Sequence, residues 1–572
     1  MASPSAPAAP AVLRLPSARK RWWSLIAIAA SVLVVGLDLT VLNLALPKLA
    51  ADLHASNSDL QWISDAYSLV LAAVMLPAGL LGDRLGRKKV LLVSLVVFGA
   101  SSAACAYSGT VGMLITFRAI LGLGAAAIIP LALSIVPVLF TAKERPKALA
   151  VMMGATFVAY PLGPVLGGWL LDSFWWGSVF LINVPVVVLA IAAVTAWLPE
   201  SGSSQRLRLD PGGIVASSLG LAGLTYGFID AGENGWGSAT ALSTMIAGAV
   251  VLAGFLYWER LLTRKAGTGG TAEDSAAPAG AGDSGAGDSG AAAPRVPKGS
   301  GASARQPLVD LVLFRFAGFT WGTILTTLVS FVMFGMLFAL PQYLQAVREY
   351  SALSCGLRLL PFIGGMIVGM IAAAYYQSAP DPDHGPRVSI KVLVTIGFLI
   401  MAAGVVIGTF THLRTDYGFI AFWLVVGGMG LGLAMPTATN AALGALSKDH
   451  SSGGAAVISA FRQVGATIGV AILGTVLSAG YHSRLHLTGL PVEAARAVRS
   501  SVVGGMTVAQ QAAASGQPGA GSLALMVQNA FVHGMGQMMW ICAAIAVACA
   551  LLALVFLPRR AAERRESVPQ GS

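Results

Sequence analysis

The sequence predicts an all-α protein that crosses a membrane many times, and three observations support this prediction. Hydrophobic residues make up 56% and charged residues 11% of the 572 residues, with a mean hydropathy of +0.75, whereas soluble proteins are about 45–50% apolar and about 25% charged. The apolar residues fall in blocks of about 20 or more, the length that a helix needs to cross a hydrocarbon core, and not in the short alternating segments of a membrane β-barrel. Most of the 36 Lys and Arg residues flank these blocks, so the net charge of +11 does not indicate nucleic-acid binding.

Fourteen apolar blocks are long enough to span a bilayer, with edges placed to within about 2–4 residues. The first block is longer than the apolar core of a secretory signal peptide, about 7–15 residues, so we expect it to be retained as a span. An even number of spans puts both termini on one side of the membrane. The distribution of basic residues places that side in the cytoplasm, and we expect a protein of the cell (inner or plasma) membrane. The predicted spans are 22–46, 58–82, 89–108, 111–137, 146–170, 178–197, 212–230, 239–258, 317–341, 352–377, 389–411, 416–445, 454–480 and 532–557.

A possible internal repeat indicates how the spans are grouped. One gapless shift of the sequence matches small residues and prolines of spans four and five with those of spans twelve and thirteen: Gly122, Gly124, Pro130, Gly163 and Gly168 fall on Gly428, Gly430, Pro436, Gly469 and Gly474. If this match is a true repeat, spans seven and eight are inserted between two six-span halves, which is a parallel-repeat arrangement.

The repeat and the composition together predict the domain organisation. A cytoplasmic tail at 1–21 precedes an N-terminal six-helix bundle at 22–197 and two inserted helices at 198–260. Residues 261–316, rich in Gly, Ala, Ser and Asp, are expected to form a disordered cytoplasmic linker. The C-terminal six-helix bundle at 317–557 contains an outer loop at 481–531, in which we predict a helix at 491–503 that stops at two glycines, and a tail follows at 558–572.

Three ionisable residues within spans are the most informative side chains, because each costs at least about 2.5–3.5 kcal/mol at a helix centre. Asp38, Asp65 and Arg118 are all expected roughly 9–14 Å below the outer surface, at one level of the membrane. In one interpretation the two carboxylates bind a proton or a cationic substrate and Arg118 adjusts their proton affinity. In the other, the three residues form a permanent structural ion pair.

The second half has a different set of polar residues within its spans. No Asp or Glu lies deep within a span there, but Arg358 and Arg462 do. Arg462 either holds a carbonyl or anionic group of a substrate or packs against its glycine-rich helix. We take Arg358 and Arg462, with Asn43 of the first span, as candidates for lining a central cavity.

Two glycine-rich segments have both a structural and a functional interpretation. The loop after span two allows a tight turn and close helix approach, and its candidate latch residues are Gly79, Asp83, Arg84, Gly86 and Arg87. Span five has a face of small residues with prolines, which favours close packing and bending. Its candidate residues are Gly154, Gly163, Pro164, Gly167 and Gly168. Tight packing alone explains this face equally well.

Several other function classes lack the residues that they need. The chain contains no Gly-x-x-x-x-Gly-Lys-Ser/Thr loop to hold the phosphates of ATP. An enzyme would need converging acids, histidines or metal ligands, whereas nearly all of the seven histidines are in predicted loops, and the four cysteines have no paired spacing. We therefore expect no enzymatic activity, no metal and no disulfide.

The motifs resemble those of the major facilitator superfamily, in particular its fourteen-span drug:proton antiporter family and the antibiotic exporters of actinomycetes. The segment Leu37 to Pro47 resembles the first-span motif of that family, with Asp38 in the acidic position. Gly79 to Lys88 resembles the loop motif, Arg118 to Gly124 the fourth-span motif, and Gly163 to Gly168 the fifth-span antiporter motif. The chain departs from the fourth-span motif at Leu121, where the family usually has Gln.

The resemblance implies a fold of two six-helix bundles plus two inserted helices, and a function. It implies proton-coupled efflux of hydrophobic or cationic organic molecules by alternating access, with Asp38, Asp65 and Arg118 in proton coupling and Asp83 and Arg87 latching the cytoplasmic ends. The proton gradient would take the place of a cofactor, and we expect a monomer in the lipid bilayer. The alternative on the same fold is an exporter of an endogenous metabolite such as an amino acid, a siderophore or a lipid.

Overall fold

The computed structural model describes residues 18–53, 57–141, 144–200, 210–268, 311–378, 388–444, 451–487, 490–517 and 519–558. Most of the two predicted tails and of the predicted linker lies outside these ranges. A few side chains within them also lie outside the description, among them those of Asn43, Asp83 and Pro164.

The described chain is built from helices and contains no strand in these ranges. Thirteen of its helical segments are long and apolar enough to cross a membrane, and the remaining predicted span, the fifth, falls on a helix of 29 residues. The all-α multi-span prediction is thereby confirmed. The α-helices are α1 (Ala18–Asp52), α2 (Asn57–Leu85), α3 (Arg87–Ala106), α4 (Val111–Leu139), α5 (Arg145–Ser173), α6 (Ser178–Leu181), α7 (Asn183–Trp197), α8 (Pro211–Asn234), α9 (Ala239–Thr268), α10 (Ala317–Gln342), α11 (Ala352–Arg358), α12 (Leu360–Gln377), α13 (Ile390–Gly408), α14 (Tyr417–Gly444), α15 (Ser451–His482), α16 (Val492–Ser500), α17 (Val502–Ala514) and α18 (Ala520–Phe556), with a 3₁₀ turn at Leu311–Arg315 and a π turn at Tyr343–Val347.

Two predicted spans are each divided into a short and a long helix. The sixth consists of α6 and α7, and the tenth of α11 and α12. Pro185 and Pro361 explain the breaks, because each lacks the N–H that would donate to the carbonyl four residues earlier. The first break places Asn183 at the first position of α7.

The two bundles have the same internal packing. In the N-terminal bundle α1 packs on α5, and α4 packs on both α2 and α3; in the C-terminal bundle α10 packs on α15, and α14 packs on both α12 and α13. Glycines at the repeat positions make the equivalent close approaches: Gly122 to Tyr67 of α2 and Gly428 to Phe362 of α12, Gly124 to Phe98 of α3 and Gly430 to Met401 of α13, Gly163 to Thr40 of α1 and Gly469 to Phe331 of α10. The internal repeat is therefore confirmed by the contacts that its glycines permit.

The bundles meet along two seams, and α8, the first inserted helix, covers one of them while α9 packs on α8. At the first seam α2 contacts α15, and α8 packs against both. Trp62 of α2 stacks on Tyr226 of α8 with ring centroids 5.9 Å apart, and Trp236 donates a hydrogen bond from Nε1 to Thr475 Oγ1 of α15 at 3.0 Å. At the second seam α5 contacts α11 and α12.

The outer loop at 481–531 differs from the prediction. The predicted helix at 491–503 is instead α16, which ends at Ser500, and a second helix, α17, runs through both glycines that were expected to stop the first. Ser501 lies between them and caps α17, because its side chain accepts a hydrogen bond from Gly504 N at 3.0 Å. The last span also begins earlier than predicted, since α18 starts at Ala520 and not at 532.

Candidate functional site

A buried ion pair lies inside the N-terminal bundle. Arg118 of α4 donates from Nη1 to Asp38 Oδ2 of α1 at 2.7 Å, and both side chains are only 2% exposed. Arg118 also donates from Nε to the carbonyl of Ile63 on α2 at 3.0 Å, and its guanidinium carbon lies 4.6 Å from the centroid of the Tyr67 ring. Three helices of the bundle thus hold one carboxylate against one guanidinium.

An amide and a hydroxyl complete the surroundings of the carboxylate. Asn183 of α7 is fully buried, and its Nδ2 donates to Asp38 Oδ1 at 3.2 Å and to Ser102 Oγ at 3.1 Å. Ser102 in turn donates to the carbonyl of Phe180 at 2.8 Å. The sequence analysis missed Asn183, although a single amide in the apolar run from Val179 to Val187 is a signal that could have found it.

These polar groups form a layer that divides the apolar core of the N-terminal bundle. On the predicted outer side, buried residues form a cluster of their own: Val41, Leu42, Ala45, Leu49, Ile63, Cys105, Ala106, Leu114, Leu171, Trp176, Val179 and Phe180. On the predicted cytoplasmic side, residues such as Ile28, Leu71, Leu95, Ile128 and Met152 belong to one continuous core with the C-terminal bundle. The described bundles therefore share a core below the polar layer, while the outer half of the N-terminal bundle has a separate one.

The burial of the ion pair couples the charge of each member to that of the other. Removing one partner of a buried pair costs about 3–5 kcal/mol, because the remaining charge has neither water nor counter-ion. A proton that neutralises Asp38 has the same effect on Arg118. The arrangement can therefore convert proton binding into a preference for a conformation in which Arg118 gains water or another partner.

Asp65 lies close along the chain to this cluster. It is half-buried on α2, two residues after Ile63, whose carbonyl accepts the hydrogen bond from Arg118. The structure thus brings Asp38 and Arg118 into direct contact and places Asp65 on α2 between Ile63 and Tyr67, the two residues of that helix that contact Arg118.

The predicted latch loop is tied to the end of α7. Gly86 has a φ of 98°, which favours glycine, and an added Cβ would lie 2.5 Å from Glu200 Oε1. The Glu200 carboxylate accepts from Lys88 N at 3.3 Å, at the start of α3, where negative charge is stabilising. Of the candidate latch residues, Gly79, Gly86 and Arg87 are buried, Arg84 is exposed and the Asp83 side chain lies outside the description. Glu200 was missed by the sequence analysis.

The small-residue face of α5 packs against the segment of α1 that follows Asp38. Gly163 faces Thr40, and an added Cβ at Gly167 would lie 3.2 Å from Val41 Cγ1. On the same helix Gly168 is buried, the Pro164 side chain lies outside the description, and Gly154 faces Met370 of α12. Close packing of α5 therefore positions the helix that carries the buried carboxylate and also reaches the second bundle.

The arginines of the second half occupy different places. Arg358 ends α11, with its guanidinium carbon 3.7 Å from the centroid of the Tyr350 ring and 5.4 Å from that of Tyr417. Arg348 donates to the Tyr350 hydroxyl at 3.2 Å, and this hydrogen bond lowers the pKa of Tyr350. Arg462 is half-buried on α15, and the side chain of Asn43 lies outside the description. The structure thus places Arg358 in an aromatic cluster at the predicted outer end of the C-terminal bundle.

Two helical bundles related by an internal repeat, with an ion pair buried in one of them, define the class of two-lobed membrane transport proteins. The chain matches the Major Facilitator Superfamily over residues 28–470 and belongs to that family. This confirms the resemblance drawn from the motifs, and with it the multi-pass membrane fold.

Curated relatives cover nearly all of the chain. It is 30% identical over 561 residues to the tetracenomycin C resistance and export protein of Streptomyces glaucescens, covering 96% of this chain and 93% of that protein. It is 30% identical over 508 residues to the multidrug efflux pump LfrA of Mycolicibacterium smegmatis, covering 87% and 89%. It is 29% identical over 463 residues to the puromycin resistance protein pur8 of Streptomyces alboniger, covering 80% and 82%.

Solved structures share the fold at low sequence identity. The human organic anion transporter MFSD10 matches with a TM-score of 0.55 at 14% identity, covering 94% of this chain and 100% of that one. The proton:xylose symporter XylE matches with a TM-score of 0.55 at 13% identity, covering 95% and 97%.

Proposed function

We propose that this protein exports hydrophobic organic compounds, drugs or antibiotics, across the cell membrane in exchange for protons. The names of its relatives, which include an antibiotic export protein and a multidrug efflux pump, support the class of cargo. The observation that carries the proton coupling is the buried pair of Asp38 and Arg118, because its charges are held where a single proton changes the balance of forces.

The cycle begins with Asp38 ionised and paired, the state of lowest electrostatic cost for the closed polar layer. Cargo enters the space between the bundles from the cytoplasm or the inner leaflet. A proton from outside then neutralises Asp38 and leaves Arg118 without its counter-charge, which favours the conformation that admits water to the outer layer and releases the cargo there. The proton shifts the equilibrium only as far as its affinity differs between the two conformations.

The free energies involved are large enough to couple proton binding to a change of conformation. A gradient of one pH unit supplies about 1.4 kcal/mol per proton, whereas breaking a buried ion pair costs about 3–5 kcal/mol. The pair is therefore strong enough to hold one conformation until the carboxylate is protonated. Close packing of α5 on α1 carries the movement of this layer to the seam with the C-terminal bundle.

The direct test is gradient-driven efflux by the Asp38→Asn variant. A drug-susceptibility panel in a host without its own pumps first selects a compound to which the native chain gives resistance. Proteoliposomes with an imposed pH gradient then measure transport of that compound. We expect Asp38→Asn to insert and fold but to lose gradient-driven transport.

Asp172→Asn is the matched control, because Asp172 is an exposed carboxylate at the outer end of α5. It is expected to transport as the native chain does. Full gradient-driven efflux by Asp38→Asn would remove Asp38 from the mechanism. A panel on which the native chain protects against no drug would instead favour the export of an endogenous metabolite.

A further inference from the structure

The buried amide next to Asp38 uses only half of its hydrogen-bonding capacity. Asn183 Nδ2 donates to Asp38 and to Ser102, but Asn183 Oδ1 has no hydrogen-bond partner among the described residues. Buried acceptors without a partner are rare and costly, and they are often found where a group changes its bonding during function. Here the unpaired acceptor belongs to the same amide that touches the carboxylate.

The carboxyl group of Asp38 needs different partners in its two protonation states. When ionised it only accepts hydrogen bonds, and it receives them from Arg118 at Oδ2 and from Asn183 at Oδ1. When protonated it carries one O–H donor. Arg118 has no acceptor atom, so the proton is best placed on Oδ1. With the Asn183 amide in its present orientation, that proton would face the Nδ2–H group, which cannot accept it.

We propose that Asn183 is a positioning residue that follows the protonation state of Asp38 by a half-turn of its amide. The Nδ2–H group donates to the carboxylate, and after rotation Asn183 Oδ1 accepts the O–H of the acid. The inference rests on the proposed proton-binding role of Asp38. A proton is transferred from hydronium in solution to Asp38 Oδ1, no covalent bond of the protein breaks, and two hydrogen bonds exchange their direction.

The surroundings allow this exchange. The two ends of a side-chain amide have nearly the same size, so rotation about the Cβ–Cγ bond moves no neighbouring backbone. The Ser102 hydroxyl, which now donates to the Phe180 carbonyl, can rotate and donate to the oxygen that replaces Nδ2. In the protonated state Asn183 Oδ1 is hydrogen-bonded, Nδ2 takes the position in which Oδ1 had no partner among the described residues, and the Phe180 carbonyl gives up its bond from Ser102.

Few other groups near Asp38 can titrate or carry charge. Arg118 faces it from α4, Tyr67 of α2 lies against the guanidinium, and Asp65 lies two residues before Tyr67 on α2. Cys105 of α3 is buried in the adjoining apolar cluster. Among these groups Arg118 supplies only donors, so the amide of Asn183 is the neighbour able to accept from the protonated acid at Oδ1.

The first experiment needs no substitution at Asn183. Infrared difference spectra of the purified protein in lipid, recorded while the pH is lowered, are compared between protein with ordinary asparagine and protein with ¹³C-labelled asparagine. We expect an asparagine carbonyl band to shift together with the appearance of the Asp38 acid band, and both changes to vanish in Asp38→Asn. An asparagine carbonyl that stays unchanged while Asp38 takes up its proton would overturn the proposal.

The second experiment separates a rotating amide from a fixed donor by the pH midpoint of the Asp38 acid band. A fixed donor stabilises only the carboxylate, so Asn183→Leu would raise the proton affinity about tenfold or more and move the midpoint about one unit or more to alkaline pH. With a rotating amide both protonation states lose one bond, and the midpoint moves by less than about half a unit. An alkaline shift of a full unit would contradict the rotation.

Ser101→Ala serves as the control, because Ser101 is buried beside Ser102 but, among the residues that the structure describes, its hydroxyl bonds only to the Val97 carbonyl of its own helix. Its spectra are expected to match those of the native chain. Both experiments record proton binding at equilibrium and not transport. If Asp38→Asn retained gradient-driven efflux, the proposed function would fail, while the infrared result would still decide whether Asn183 follows the proton.

Discussion

The two bundles share their packing but not the groups that they bury. The N-terminal bundle encloses an ion pair with an amide and a serine hydroxyl around it. At its interior the C-terminal bundle has a neutral network in which Gln377 donates to Thr437 and accepts from Asn440, both at 2.9 Å. Its two arginines with described aromatic contacts, Arg348 and Arg358, lie near the outer end.

This difference shows that helix spacing and buried charge make separate demands on the sequence. Glycines at equivalent positions keep the helix spacing the same in both halves, because any side chain there would meet a neighbouring helix. The helix spacing does not require buried charge. One bundle can therefore contain buried charge while the other lacks it. We therefore expect substitutions at repeat positions to have similar effects on folding, and substitutions of buried polar groups to have unequal effects.

The largest expected effect is that of removing the guanidinium. Arg118→Met leaves an ionised Asp38 without its partner and should lower the free energy of unfolding by about 3–5 kcal/mol at neutral pH. Arg358→Met removes stacking on Tyr350 and Tyr417 and a hydrogen bond to the Ser354 carbonyl of its own helix, and should cost about 0.5–2 kcal/mol. Thermal unfolding of the purified variants measures both.

The double variant Asp38→Asn with Arg118→Met is the control for this comparison. It removes both charges, so most of the lost stability should return. Equal losses of unfolding free energy for Arg118→Met and Arg358→Met would show that the buried ion pair contributes no more to stability than the aromatic contacts of Arg358.

Substitution of equivalent glycines should separate folding from coupling. Gly163→Val forces a side chain against Thr40 of α1, and Gly469→Val forces one against Phe331 of α10. Overpacking of this kind costs about 1–3 kcal/mol, and we expect similar losses of unfolding free energy at both sites. Only Gly163→Val should disturb proton binding by Asp38, because Thr40 lies two residues after it.

Infrared titration of the Asp38 acid band in the two glycine variants checks this expectation. A band that keeps its midpoint in Gly469→Val and moves in Gly163→Val agrees with it. Movement in both, or in neither, would mean that coupling does not depend on which bundle is disturbed.

The smallest expected effect concerns a salt bridge at the predicted cytoplasmic end of the N-terminal bundle. Arg21 donates to Glu144 Oε2 at 2.6 Å. Burial pushes the pKa of Glu144 upward, but hydrogen bonds from Thr141 and Arg21 and the charge of Arg21 outweigh it and hold the pKa below its usual value. The pair is partly buried, with the Arg21 and Glu144 side chains 13% and 30% exposed, so Glu144→Gln should cost about 1 kcal/mol.

The pH dependence of that difference has a definite sign. Because the folded-state pKa of Glu144 is lowered, its stabilisation is present above the unfolded pKa of about 4.3 and is lost as the pH falls through the folded value. Unfolding of the native chain and of Glu144→Gln from neutral to acidic pH should show two curves that converge in acid. A difference in unfolding free energy that grows as the pH falls would contradict a lowered folded-state pKa for Glu144.

The sequence was sufficient to predict the spans, the repeat and the level of the charged residues, because helix rise is fixed and lipid requires long apolar segments. Counting along the helices placed Asp38 and Arg118 at one level, and the structure joins them. Counting gives depth but not the direction in which a side chain points. The contacts of Asn183 and of the Ile63 carbonyl therefore needed the coordinates.

Helix ends were predicted less well than helix positions. Hydropathy reports where a helix passes through lipid and not where it stops, so the early start of α18 at Ala520 was missed. In the outer loop, local signals were overridden by packing: an added Cβ at Gly505 would lie 2.9 Å from Val527 Cγ1 of α18, so this glycine permits contact between α17 and α18 and does not end a helix. The contact of Glu200 with Gly86 was also missed, because it joins residues that are distant in the sequence and depends on packing.

Proton release on cargo binding is the most direct test of whether Asp38 couples proton binding to transport. The purified protein is placed in weakly buffered detergent solution with a pH-sensitive dye, at a pH where the Asp38 acid band is half-developed, and the compound selected by the susceptibility panel is added. If cargo favours the ionised, paired state of Asp38, the native chain should release protons and Asp38→Asn should release none. Equal release by both, or no release from a native chain that binds the compound, would contradict the account.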